Sequence, residues 1–149
     1  MTRASLAWSG STAGGPEAFS RSHSLAIDGV PATLDLTADV TFGGDGAHLG
    51  AEALLLGAVA SCQLLSFLNV AARARIEVIA YADEATVVVD RSTRPAVISA
   101  IELRPTITTT VAVPRERLDR LVELAHRDCT VANALAVPVR IDATGWVNT

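Results

Sequence analysis

A chain of 149 residues, half of them hydrophobic, is long enough for one domain with a substantial core. A net charge of −4 argues against a general nucleic-acid binder, and the scarcity of aromatic residues argues against stacking platforms for bases or sugars. All twelve basic residues are Arg, which excludes Schiff-base, phosphate-loop and general-base chemistry by lysine.

The first residues, Met1 to Trp8, have no apolar signal-like region, and no unbroken apolar stretch approaches the roughly 18 residues that span a bilayer. The expectation is a cytoplasmic protein with no membrane role. Residues 3–9 and 17–27 carry β-prone patterns on either side of the loop Ser9 to Pro16. As a strand, the second segment puts Phe19, Arg21 and His23 on one face, continued by Leu25 and Ile27. Asp28-Gly29 is a hairpin signal. Residues 33–42 alternate Leu34, Leu36, Ala38 and Val40 with Thr33, Asp35, Thr37 and Asp39, which completes a small antiparallel sheet.

Gly43 to Gly50 reads as a turn into a helix, since no Lys stands in phosphate-loop position. The helix is predicted over 51–75, with Glu52 in its first turn where a carboxylate suits the helix dipole. Its first half is apolar nearly all round and should be buried on most sides, which is more than a small monomer easily covers and points to a dimer. Strands follow at 76–90 and 97–113. A second helix spans 115–127 with Leu118, Leu121, Val122 and Leu124 on its apolar stripe, then a helical turn at 130–135 and a strand at 137–147. The pattern predicts a single α+β domain over 1–149, with mainly antiparallel sheets and a long buried central helix.

The chemistry turns on two cysteines. Their wide spacing excludes a CxxC motif, and in a reducing compartment they are free, catalytic or redox-sensing thiols before they are a structural disulfide. Cys62 lies in an apolar helical run and reads either as a small core residue or as a nucleophile, which needs a nearby donor or cation to ionise. No basic residue is close to it in sequence, so its activator must come from elsewhere in the fold. Arg21 is the candidate, because a guanidinium stays charged and offers a rigid fork of donors. Glu52 can hold such an arginine by a paired carboxylate. Glu52 and Cys62 lie about 15 Å apart along one continuous helix, so both serve one site only if the helix breaks near Gly57 or a partner subunit supplies Glu52. Cys129, at a helix C-terminus beside Asp128, is a poorer nucleophile and a reasonable resolving thiol. His126 with the two cysteines makes only three ligands, a weak basis for zinc, and no GxSxG marks a serine hydrolase.

Two segments carry a family resemblance over essentially the full chain. Ala51-Glu52-Ala53-Leu54-Leu55-Leu56-Gly57-Ala58-Val59-Ala60-Ser61-Cys62 looks like the Pro-Glu-x-Leu-(x)-Gly/Ala-Ala-x-x-x-Cys segment of the OsmC/Ohr family of thiol-dependent hydroperoxide reductases, with the same ten-residue step from Glu to Cys. Ala125-His126-Arg127-Asp128-Cys129-Thr130-Val131-Ala132-Asn133-Ala134-Leu135 is similar to its Ala-x-x-x-Cys-x-(Ile/Val)-(Ser/Ala)-Asn-(Ala/Ser) segment. Gly50-Ala51 stands where the family usually has Asn-Pro, and Gln63 follows Cys62. The resemblance implies an intertwined homodimer with two sites at the subunit interface. It implies a peroxidatic Cys62, a resolving Cys129, the family's glutamate at Glu52 and its activating arginine at Arg21. The expected substrate is a small organic or lipid hydroperoxide, favoured by the apolar helix as a pocket wall. No metal or organic cofactor is expected; an external dithiol protein would be the reductant. A non-catalytic, thiol-bearing binding or sensing dimer is the alternative, and thiol-based hydrolase or transferase chemistry a third.

Overall fold

The computed structural model describes residues 1–147, which separate into two compact units, 1–55 and 56 onward. In the first unit, β1 (Ala4–Ala7), β2 (His23–Ile27) and β3 (Thr33–Leu36) form an antiparallel sheet in chain order. The hairpin expected at Asp28-Gly29 joins β2 to β3. Gly29 has φ +81°, a left-handed conformation that glycine adopts without steric cost, and the Val30 N–H donates to the Ile27 carbonyl. The strand expected from residue 17 begins only at His23, so Phe19 and Arg21 lie in the irregular segment before it. The strand expected over 33–42 ends at Leu36. A short 3-10 turn follows at Val40–Phe42, capped by the Asp39 carboxylate on the Thr41 N–H. A Cβ at Gly44 would lie 1.7 Å from the Ala38 carbonyl oxygen, so the loop closes only around glycine.

Helix α1 (Ala51–Arg73) is a single helix with no break at Gly57. It ends two residues earlier than its composition suggests. Arg75 takes the left-handed conformation usual for glycine, with φ 57°, while the Ile76 N–H donates to Ala71 and the Arg75 N–H to Ala72. These are the two bonds of a Schellman motif, which satisfies carbonyls that the helix end would otherwise leave open. Within this chain α1 buries only one stripe, Val59, Gln63, Phe67, Val70 and Ala71. The burial expected on its other sides is not supplied by the described residues: Leu65 is 58% and Leu68 37% exposed, and a Cβ at Gly57 would meet nothing within 4 Å. By length and composition α1 could cross a bilayer, although Ser61, Gln63, Ser66 and Asn69 interrupt its apolar runs.

The second unit holds two three-stranded sheets, ordered β4-β7-β9 and β5-β6-β8. Their strands are β4 (Val78–Asp83), β5 (Thr86–Asp90), β6 (Val97–Leu103), β7 (Pro105–Thr109), β8 (Val139–Ile141) and β9 (Thr144–Val147). The pairs β4/β7 and β5/β6 are antiparallel, whereas β6/β8 and β7/β9 are parallel, so the sheets are mixed. The segment expected over 76–90, with its two runs at 76–81 and 85–89, forms β4 and β5, whereas the strands expected as continuous over 97–113 and 137–147 are each cut in two; all three segments pass from one sheet to the other at the break. At the central cut the Arg104 N–H donates to the Asp83 carboxylate at 2.8 Å, and Pro105 has no N–H to give to a ladder. At the third, the Asp142 N–H donates to the Leu103 carbonyl at 2.9 Å.

Helix α2 (Arg115–Asp128) buries Leu118, Leu121, Val122 and Ala125; the expected Leu124 is only partly buried. Its buried side chains join Phe67, Val70 and Ala71 of α1 with Ile76, Ile107 and Ala143 in the core of this unit. The short helix α3 (Thr130–Asn133) follows at once, with Cys129 both closing α2 and capping α3.

A paired thiol as the candidate active site

The α2–α3 corner fixes Cys129. Its backbone is extended, with φ −77° and ψ 103°, so the chain turns sharply between the two helices. The Asn133 side-chain amide donates to the Arg127 carbonyl at 2.7 Å and the Asn133 N–H to the Cys129 carbonyl at 3.0 Å, which ties the corner together. Cys129 is fully buried, and its sulfur accepts from the Ala132 N–H at 3.5 Å.

Cys62, on α1, is only half-buried. The two thiols are free and each acts on the other's ionisation, so the fold brings together a pair that the sequence holds far apart. Burial is the largest single influence on Cys62 and opposes its ionisation. Donors from the Cys129 thiol, the Val131 N–H and the hydroxyl and N–H of Thr130 together outweigh it, so Cys62 sits below the ordinary thiol value. For Cys129, burial again comes first and the neighbouring Cys62 adds to it; together they push the thiol up, against backbone donors from Ala132 and Val131. Cys62 therefore ionises first while Cys129 keeps its proton. Sequence reasoning reached the same order of nucleophilicity by way of Asp128 and the helix end, whereas burial and the partner thiol lead in the structure. It looked for a cation beside Cys62 and missed Thr130 and Val131, whose only sequence signal was their place immediately after the second cysteine.

Arg21 and Glu52 are found in the first unit. Both line a cavity of about 650 Å³, walled by Leu6, Trp8, Phe19 and Phe42. The guanidinium lies 3.7 Å over the Phe19 ring and donates to the carbonyls of Pro16, Phe19 and Phe42. Trp8 packs edge-on against Phe19 with ring centres 6.1 Å apart, its indole N–H on the Ser20 carbonyl. The expected Arg21–Glu52 ion pair is not formed among the described residues, because the arginine's donors are directed to backbone carbonyls. Among those residues no group of three His, Cys, Asp or Glu side chains is placed to hold a metal ion, so His126 joins no such cluster.

The OsmC-like protein family matches residues 43–144, a segment that contains both cysteines and Glu52. The chain belongs to the OsmC-like family. Solved OsmC-like structures share its fold. An OsmC-like protein of unknown function from Vibrio cholerae O1 biovar eltor str. N16961 is 24% identical, with a TM-score of 0.82 over 96% of this chain and 98% of that one. An organic hydroperoxide resistance protein OsmC from Legionella pneumophila is 19% identical, with a TM-score of 0.74 over 97% and 96%. An organic hydroperoxide resistance protein from Elizabethkingia anophelis, with thiocyanate bound, is 18% identical, with a TM-score of 0.74 over 99% and 96%. At these identities the likeness establishes the OsmC fold alone. No curated protein matches the chain.

Proposed function

We propose that this OsmC-like protein is a thiol-dependent peroxidase that reduces organic hydroperoxides. The observation that carries the proposal is the thiol pair itself: a half-exposed Cys62 biased toward thiolate, coupled to a buried Cys129 biased toward thiol. The Cys62 thiolate attacks the terminal oxygen of ROOH. The O–O bond breaks, its electron pair leaves on RO⁻, which takes a proton to give ROH, and Cys62 becomes a sulfenic acid. Cys129 then attacks the Cys62 sulfur, an S–S bond forms, and water departs with the Cys129 proton. An external dithiol protein reduces the disulfide by exchange and is itself oxidised. No metal or organic cofactor enters these steps.

The apolar walls around Arg21 and Glu52 support an alkyl or lipid hydroperoxide as substrate. With α1 unbroken, a ten-residue helical rise of about 15 Å separates Glu52 from Cys62. We therefore assign the carboxylate that serves a given Cys62 to Glu52 of the partner subunit in a homodimer, a reading supported by the apolar face that α1 leaves uncovered. Arg21, which lines the same cavity as Glu52, would come with it from the partner subunit and stabilise charge on the peroxide after exchanging one of its carbonyl partners. A reducing cytosol would keep both thiols free between cycles.

The test is turnover. With a small dithiol present, the purified protein consumes cumene hydroperoxide for many cycles per chain and consumes hydrogen peroxide more slowly. Consumption that stops at one equivalent per chain despite excess dithiol would instead identify a sensing or binding dimer.

A further inference from the structure

We propose that His23 is a catalytic residue of the hydroperoxide reaction, the general acid that protonates the departing alkoxide. His23 opens β2 and lines the same cavity of the first unit as Arg21 and Glu52. The sheet register directs it there. Leu6 pairs with Leu25 and His23 with Leu36, so Leu6, His23 and Leu25 share one face of the sheet, and Leu6 is itself part of the cavity wall. The ring is also held in place. Its Nδ1 lies 2.8 Å from the Arg21 carbonyl oxygen, which can only accept, so Nδ1 carries a proton and donates it there. That bond ties the imidazole to the backbone of the arginine that would meet the peroxide, and it leaves Nε2 as the nitrogen for the substrate.

The other charged side chains on the cavity wall are Arg21, Asp39 and Glu52. A guanidinium does not release its proton, and an ionised carboxylate has none to give. Imidazole takes up and releases a proton near neutral pH, and as imidazolium it donates from both nitrogens. The reaction balances on that proton. The Cys62 sulfur bonds to the terminal oxygen of ROOH as the O–O bond breaks, and the electron pair leaves on RO⁻. The Nε2–H protonates that oxygen, which gives ROH and a neutral imidazole. His23 also borders a second cleft, lined by Ser22, Ser24, Asp35 and His48. Half-buried between the two, the ring recovers its proton from water before the next turnover.

The inference rests on the peroxidase reading, with Cys62 as the attacking thiol, and its test separates the two. The rate of Cys62 thiol loss is measured in a single turnover at neutral pH, with cumene hydroperoxide and with peracetic acid. Cumene hydroperoxide expels a strongly basic alkoxide that needs a proton, whereas peracetic acid expels acetate, which does not. His23→Asn keeps an N–H donor for the Arg21 carbonyl without the acidic proton of Nε2, and His23→Phe keeps a ring with neither. In both variants the ratio of the cumene hydroperoxide rate to the peracetic acid rate is expected to fall at least about tenfold below that of the parent. An unchanged ratio overturns the inference, whether both rates hold or both drop together; an equal drop marks a role confined to holding Arg21. A parent chain whose Cys62 does not react with cumene hydroperoxide overturns the peroxidase reading, and the inference falls with it.

Discussion

Cys62→Ser is expected to abolish hydroperoxide consumption, by about a thousandfold or more relative to the parent chain. The serine hydroxyl keeps the shape, but it does not ionise at neutral pH and has no route to a sulfenic acid. The donors that lower Cys62, from Cys129, Val131 and Thr130, are useful only to an atom that carries negative charge near neutrality. The substitution removes little buried surface because Cys62 is half-exposed, so the folded chain should persist, with unchanged far-ultraviolet circular dichroism as the check. A Cys62→Ser protein that still consumes cumene hydroperoxide at the parent rate would transfer the chemistry to another residue.

The largest effect on stability is expected from Phe67→Ala. Phe67 is 1% exposed on α1 and packs among Val70, Ala71, Ile76, Ile107 and Leu121. Its ring lies 5.9 Å from that of Tyr81, tilted by 46°. Removing a buried aromatic side chain costs about 3–5 kcal/mol, which includes the cavity left behind, and the lost ring pair contributes to that figure. Against a typical domain stability of about 5–15 kcal/mol, the variant should unfold at a much lower urea concentration with a similar slope, measured at one protein concentration. A shift worth less than about 1 kcal/mol would mean that α1 does not anchor this core.

How far these features were legible varies by element. The helix around Cys62 could be read from its apolar run because a helix expresses its own hydrogen bonds locally; its length differed only because Arg75 adopts a left-handed turn that its residue type does not announce. The strand over 97–113 was read as one piece because a single polar residue, Arg104, does not break the alternation. What breaks it is a carboxylate distant in sequence, Asp83, which takes the Arg104 N–H. The alternation of Phe19, Arg21 and His23 is real, yet Arg21 turns its side chain onto the carbonyls of Pro16, Phe19 and Phe42, and a strand cannot begin until His23. The thiol pair was legible by resemblance, through the two motifs. Thr130 was not, since nothing in a linear chain places a threonine next to a cysteine on another helix.

The most direct test of the central claim is the state of the two thiols after one equivalent of cumene hydroperoxide without reductant, read by intact mass and by peptide mapping under non-reducing conditions. The account predicts loss of both free thiols, a mass lower by two hydrogens, and one peptide pair joined by a Cys62–Cys129 disulfide within a chain. Cys129→Ser under the same treatment should stop at a Cys62 sulfenic acid that a dimedone probe captures. Two thiols still titratable in the parent protein, or a stable adduct on Cys62 with Cys129 untouched, would contradict it.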